Sequence, residues 1–285
     1  MNLAEQASTA LPGLEWVQVR PRALPTLRPP AMPLNVLRRA LKKAKRPVFL
    51  VNDDSRVLLD GLGDALGTVW SEAGEPPILV ATGTHSPVVA KVRDALGGLP
   101  VEVHDADDSA SHVELGDNVR IDRRVAEADL IIAFGSVEPH YFAGWTGAHK
   151  TATVGVLDRA TIAANHEHAL SSDARPLALE GNPVFEGLAQ ILVRLEQGRR
   201  LLCVNHVLNE RGQPLGVGVG TWRGSLRRAV TTAAPRFVRD VPQPAQVVVA
   251  EVLGPLAKSV YQADKGIKNT EACVAEGGHV IVVAK

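Results

Sequence analysis

Three histidines and a lysine, His140, His149, Lys150 and His166, fall within residues 138–166, EPHYFAGWTGAHKTATVGVLDRATIAANH. Imidazole, with an unperturbed pKa of about 6.5, gives or takes a proton near neutrality, and its neutral form ligates transition metals. Gly144 and Gly147 permit close backbone approach, and Ala143 and Ala148 add no bulk, so the segment reads as built around something large and flat. Two further polar sets precede it. In DDSR, residues 53–56, Asp53, Asp54 or Ser55 suits a helix cap, whereas Arg56 in a first helical turn opposes the helix dipole and points to an anion as its partner. In ATGTH, residues 81–85, Gly83 permits a tight turn, Thr82 and Thr84 offer hydroxyls to a phosphate or carboxylate, and His85 stands at the tip.

Each set follows an apolar run that reads as a buried strand: PVFLVN at 47–52, PILVAT at 77–82, and LIIAF at 130–134, closed by Gly135. That places all of them at the carboxyl ends of strands, where open α/β sheets bind ligands. Helices are expected over LNVLRRALKKAK, over residues 57–73, over RRVAEA, and over NPVFEGLAQILVRLEQG, which Asn182 and Pro183 start well. His206, in the strand LLCVNHV, reads as structural. The alternation predicts an α/β fold with a mostly parallel sheet and helices on both faces. Residues 1–33 read as an extended, proline-rich arm with one strand, EWVQV. Residues 34–234 read as the cofactor-binding and catalytic domain, and 235–245 as a linker. Residues 246–285 form a shorter βαβ portion built from QVVVAEV, a helix with SVYQADKG, and HVIVVA.

Composition excludes several classes. The 31 basic and 31 acidic side chains balance, and aromatics make up 4%, so nothing points to nucleic acid as a partner. Asp105, Asp107 and Asp108 lack the glycine and distant glutamate of a calcium loop and read as a solvated turn. The basic face of 38–46 reads as solvated too. Cys203 and Cys273 form no CxxC, which fits a reducing, cytoplasmic setting. No apolar run is long enough to span a membrane. A homo-oligomer is left open.

DDSR, ATGTH, PHYFAG with GAHK, ANH at Asn165 and His166, and YQADKG at 261–266 together resemble the nickel-dependent lactate racemase family, from about Val48 to the last residue. The resemblance implies a nickel-pincer nucleotide as cofactor, loaded by the enzymes that build it, and a small 2-hydroxy acid as substrate. It makes His85 and His140 the paired acid/base residues and Lys150 the lysine joined to the cofactor through its thioamide. It makes His166 the protein ligand of nickel. Asp53 and Arg56 would contact the cofactor, while Tyr261, Gln262 and Lys265 would hold the substrate carboxylate.

The implied chemistry is proton-coupled hydride transfer. The α-hydrogen of an ionised hydroxy acid is weakly acidic, and hydride departure avoids a dianion while one histidine takes the hydroxyl proton and the other serves the mirror-image alcohol. Valines stand at 57 and 154 where the family pattern suggests proline. A full member would continue beyond HVIVVAK, so a shortened second domain is expected, its cleft either lacking a wall or having it supplied by a partner subunit. Two alternatives remain: a carrier or pseudoenzyme that holds the cofactor without turnover, and a zinc hydrolase built from His140, His149, His166 and His168.

Overall fold

In this computed structural model the described residues are 31–284 together with Glu5, Gln6, Thr9, Glu15 and residues 17–19. Contacts divide the chain into two units, one ending at Ala234 and the other resuming at Pro235.

The first unit runs α1 (Leu34–Leu41), β1 (Pro47–Asn52), α2 (Leu62–Glu72), β2 (Ile78–Ala81), α3 (Val89–Ala95) and β3 (Glu102–Val103). A hairpin of β4 (His112–Gly116) and β5 (Val119–Asp122) leads through α4 (Arg123–Ala126) to β6 (Leu130–Ser136). Then come a small hairpin, β7 (Pro139–His140) and β8 (Gly144–Trp145), and the helices α5 (Ala148–Thr151), α6 (Arg159–Glu167) and α7 (Pro183–Leu195). The strands β9 (Arg200–Leu208) and β10 (Pro214–Gly220) precede α8 (Trp222–Phe237). The main sheet has the order β10-β9-β6-β1-β2-β3, parallel throughout except at β10.

The apolar runs of β1, β2 and β6 are buried because helices cover both faces of the sheet. Leu37, Leu62, Leu66, Val69 and Val92 from α1–α3, with Leu96 just after α3, pack on Phe49, Val80, Ile132 and Phe134. On the opposite face α5 lies against β6, β9 and β1. Gly135, which the sequence suggested would close the strand, lies inside β6: a Cβ there would stand 2.2 Å from the Ala148 amide. Its smallness lets the start of α5 touch the sheet.

Three expectations change. The helix over 57–73 begins only at Leu62, after Gly61 in the left-handed region at φ 71°, so Arg56 precedes the helix and does not oppose its dipole. β10 was not anticipated, because glycines weaken a strand pattern. Here they serve packing, for a Cβ on Gly218 would lie 2.1 Å from the Ser225 carbonyl oxygen of α8. In the arm, Glu5, Gln6 and Thr9 are helical where an extended run was expected, before the prolines begin, and neither Glu15 nor residues 17–19 form the strand read in EWVQV. Residues 31–33 form no helix or strand, and the rest of the arm lies outside the described residues.

In the second unit β11 (Ala245–Val252) pairs in parallel with β12 (Val274–Ala284), and α9 (Val260–Thr270) packs on both, the βαβ arrangement read from the sequence. Cys203 and Cys273 are free thiols. Among the described residues no helix is long and apolar enough to cross a membrane.

Candidate functional site

The motifs of the first unit gather where β1, β2 and β6 end. Asp53 follows β1, and its Oδ2 lies 2.9 Å from His85 Nδ1. The Asp53 side chain is 5% exposed and that of His85 37%, so a buried carboxylate orients an accessible imidazole. Its other oxygen accepts from the Ser55 amide at 3.2 Å and the Ser55 hydroxyl at 2.5 Å. Asp54 Oδ1 accepts from the Val88 amide at 2.8 Å and ties the chain beyond ATGTH to the end of β1. Of the two threonines offered to an anion, Thr82 is buried and directs its hydroxyl inward, to His104.

Arg56 pairs with Glu138 at 2.5 Å. Glu138 opens the short hairpin that carries His140, and Thr146 closes it: its hydroxyl donates to the Ser136 carbonyl at 2.7 Å and accepts from the Glu138 amide at 2.9 Å. Buried His140 accepts at Nδ1 from the Ala143 amide, 3.2 Å away. A neutral ring that accepts at Nδ1 carries its proton on Nε2. For His85 the hydrogen bond to a carboxylate puts the proton on Nδ1 and leaves a lone pair on Nε2. The two neutral imidazoles therefore stand in opposite tautomers, His85 with Nε2 bare and His140 with its hydrogen on Nε2.

Phe142 connects His140 with the remaining candidates. Its ring centroid lies 4.5 Å from that of His140 and 5.1 Å from that of His166, edge to face with both, and the Lys150 ammonium stands 5.5 Å from it. Asn182, wholly buried, holds this aromatic by donating to the Phe142 carbonyl at 2.9 Å while its own carbonyl caps α7. His166, half-buried on α6, donates from Nδ1 to the Ile162 carbonyl at 2.7 Å, which leaves Nε2 with its lone pair. Burial lowers its pKa, the Ile162 hydrogen bond opposes, and the charge of Lys150 adds to the lowering. A neutral imidazole with Nδ1 anchored and Nε2 bare is the form that binds a metal ion.

The small residues serve another purpose than the one read from them. A Cβ on Gly144, at φ 74°, would stand 1.8 Å from the Ala178 carbonyl oxygen, and one on Gly147, at φ 148°, would stand 2.6 Å from Asn205 Oδ1. They admit the protein's own backbone and side chains, and Ala143 and Ala148 are fully buried as well. Of the positions where proline was expected, Val57 packs against the main core. At the other, the Val154 carbonyl would lie 3.1 Å from a Cβ on Gly83.

The histidines proposed for zinc do not make one set. His149 is fully buried against Phe185, 5.6 Å between centroids, and both its ring nitrogens lack a hydrogen-bond partner. His168 is exposed, and among the described residues no three His, Cys, Asp or Glu side chains are placed to hold a metal ion. A metal held by one histidine and by donors of its own cofactor needs no such cluster, and His166 fits that role. In the second unit Lys265 donates to Gln262 Oε1 at 2.6 Å, one turn along α9. The side chain of Tyr261 lies outside the described residues.

Residues 31–177 match the family model of the lactate racemase N-terminal domain, more than half of the 285 residues. The chain belongs to that family. It is 30% identical over 223 residues to the lactate racemase of Lactiplantibacillus plantarum, covering 73% of this chain and 51% of that protein. The lactate racemase of Thermoanaerobacterium thermosaccharolyticum is 27% identical over 270 residues, with 86% of this chain and 61% of that protein covered. The fold matches the structure of the lactate racemase apoprotein from the same organism, with a TM-score of 0.78 at 24% identity over 87% of this chain and 63% of that one. The chain thus spans about half to three fifths of the curated relatives it matches.

The matched lactate racemase segment contains Asp53, Arg56, His85, His140, Lys150 and His166, while Tyr261, Gln262 and Lys265 lie beyond it. Sequence reasoning missed the residues that hold the site together. Asn205 accepts from the Ala148 amide at 2.7 Å and donates to the Ser225 hydroxyl at 2.9 Å, fixing the start of the helix that bears Lys150. Its one sequence signal is a carboxamide inside the apolar strand LLCVNHV. Glu138 and Thr146 gave no signal apart from their neighbours.

Proposed function

We propose that this chain carries the acid/base and cofactor-holding residues of a racemase or epimerase of a 2-hydroxy acid that works with a nickel-pincer nucleotide. What carries the reading is the pair of imidazoles in opposite protonation geometry, His85 with Nε2 bare and His140 with its proton on Nε2. His166 Nε2 would ligate the nickel, and the Lys150 amine would be the point of attachment. When bound, the cofactor would supply a hydride acceptor, so the α-hydrogen need not leave as a proton beside an ionised carboxylate.

The protein's own groups handle the proton. His85 Nε2 takes the hydroxyl proton of one isomer while Asp53 steadies the resulting imidazolium. Once the planar keto acid has turned, His140, having taken a proton on Nδ1 in place of the Ala143 hydrogen bond, would return the Nε2 proton to the opposite alkoxide and be left neutral. The reverse reaction exchanges the roles, as an enzyme working on both hands requires. In the second unit Gln262 and Lys265 offer an amide and an ammonium, which would suit a planar carboxylate. Arg56 gives Nη1 to Glu138, and its other guanidinium donors would meet an anion of the nucleotide.

The test is to co-express the chain with enzymes that build the cofactor and to measure nickel per protein, with a full-length racemase as positive control and His166→Ala in parallel. Near-stoichiometric nickel, lost in the variant, together with racemisation of a 2-hydroxy acid, is the expected result. Loading without turnover on any hydroxy acid would make the chain a carrier. No loading, while the control loads, would overturn the assignment.

A further inference from the structure

Behind the ATGTH turn lies a buried chain of hydrogen bonds that the acid/base chemistry does not use. His104 and His112, 2% and 3% exposed, meet with their Nε2 atoms 3.1 Å apart. His112 Nδ1 lies 2.9 Å from the Asp108 carbonyl oxygen, and His104 Nδ1 lies 3.0 Å from the Thr82 hydroxyl. A carbonyl only accepts, and the Ser111 hydroxyl, 3.2 Å from the same Nδ1, has the Asp108 carbonyl at 2.8 Å as its own acceptor, so His112 carries its proton on Nδ1, and when neutral it presents a bare Nε2. Two bare nitrogens at hydrogen-bond distance repel, so His104 must donate from Nε2. Neutral His104 then has a bare Nδ1 that takes the Thr82 hydroxyl hydrogen. Every proton in the chain is thereby assigned from one fixed end.

Thr82 stands where β2 gives way to the turn, and its carbonyl accepts from the His85 amide at 3.0 Å. The turn is fixed on its other side where the Gly83 amide donates to the Gly155 carbonyl at 3.1 Å. We propose that Thr82, His104 and His112 form a proton-ordered relay that positions the ATGTH turn and, through it, the His85 imidazole. His104 and His112 are positioning residues in this scheme, and it rests on reading His85 as an acid/base group.

The charged groups around the pair are Asp105, Asp122 and Arg124, which act on His104, and Arg120, which donates to the His112 carbonyl at 3.0 Å. Asp122 is bound to Arg124 at 2.5 Å. Asp108, besides its carbonyl, caps the Ala110 amide with its carboxylate at 3.1 Å. Burial, the largest influence, pushes His104 down to about 4, so the neutral order is the one present near neutral pH. Protonating His104 would keep the Nε2 contact but turn Nδ1 into a donor, and the Thr82 hydroxyl would rotate to the His104 carbonyl, 2.8 Å away.

Imidazole nitrogen NMR on the full chain tests the relay without reference to activity. Near neutral pH, His112 should be the Nδ1–H tautomer and His104 the Nε2–H tautomer, each unaveraged. His112 as Nε2–H, or averaging in either ring, would overturn the proposal. Thr82→Val should shift the His85 ring resonances, and Thr82→Ser should restore them. Unchanged His85 signals in Thr82→Val would equally sink it. In the cofactor-loaded protein Thr82→Val should lower kcat about tenfold with KM unchanged, and Thr82→Ser should recover it. If the loaded parent does not racemise, the catalytic reading of His85 fails while the tautomers still decide the relay.

Discussion

His85 Nδ1 and Asp53 Oδ2 lie 2.9 Å apart, with the carboxylate buried and the imidazole reaching solvent. The carboxylate can only accept, so it fixes one tautomer of the ring. Asp53→Asn replaces it with an amide that can also donate, and the ring can then invert and place its proton on Nε2. On the proposed function nickel loading should fall only modestly, since His166 and Lys150 are kept even where Asp53's own contact with the cofactor is weakened, while racemisation per bound nickel should fall on the order of a hundredfold or more. Loading by metal analysis and turnover by chiral chromatography check the two halves separately. Full turnover in the variant would remove Asp53 from the mechanism.

Asn205 tests how the helix of Lys150 is held. Its carboxamide is fully buried and satisfies the Ala148 amide and the Ser225 hydroxyl. Asn205→Leu keeps the approximate shape and leaves that amide without a partner, a cost of about 1–3 kcal/mol. The urea midpoint should fall accordingly at constant m. Nickel retained per protein should fall with it, because the start of α5 is no longer fixed.

What could be read in advance was what is local. The apolar runs of β1, β2 and β6, the Asn182 and Pro183 cap, and the placement of DDSR, ATGTH and PHYFAG after strands depend on a few adjacent residues each. The pairings of Arg56 with Glu138, His104 with His112 and Asn205 with Ala148 depend on which distant segments the sheet makes neighbours. In the register of β6 with β9, Gly135 stands beside Asn205, and nothing in either segment alone announces it. The glycines show the same limit. A sequence shows that Gly144 and Gly147 are small, but only the folded chain shows that Ala178 and Asn205 take up the room.

Gly135→Ala follows from that contact. The added methyl would meet the backbone of Gly147 and Ala148 at 2.4 Å and 2.2 Å, and backbone in a packed helix cannot rotate away as a side chain can. Overpacking of this kind costs about 1–3 kcal/mol and sometimes more. Because the strain falls on α5, the variant should unfold at lower urea and load less nickel than Asp53→Asn does. A parent-like midpoint would mean that α5 can withdraw from the sheet without loss.

Two further buried histidines join His104 in setting the response to acid. Burial pushes His149 down to about 3, with the Lys150 charge adding to it, and burial pushes His206 down to about 4. Unfolded, each titrates near about 6.5. Both folded values are depressed, so the stability tied to the neutral rings is fully present above the unfolded value. It is lost as pH falls from there towards the folded values, where the unfolded chain binds protons that the native one refuses. Within that window each ring contributes a slope of about 1.4 kcal/mol per pH unit. Urea midpoints measured between neutral pH and about one and a half units below it should therefore fall steeply. His149→Leu should remove one of the three slopes, and because it also removes two buried ring nitrogens without partners, it should not lower stability at neutral pH. An undiminished slope in that variant would show that His149 takes up its proton within the fold and that acid sensitivity has another source.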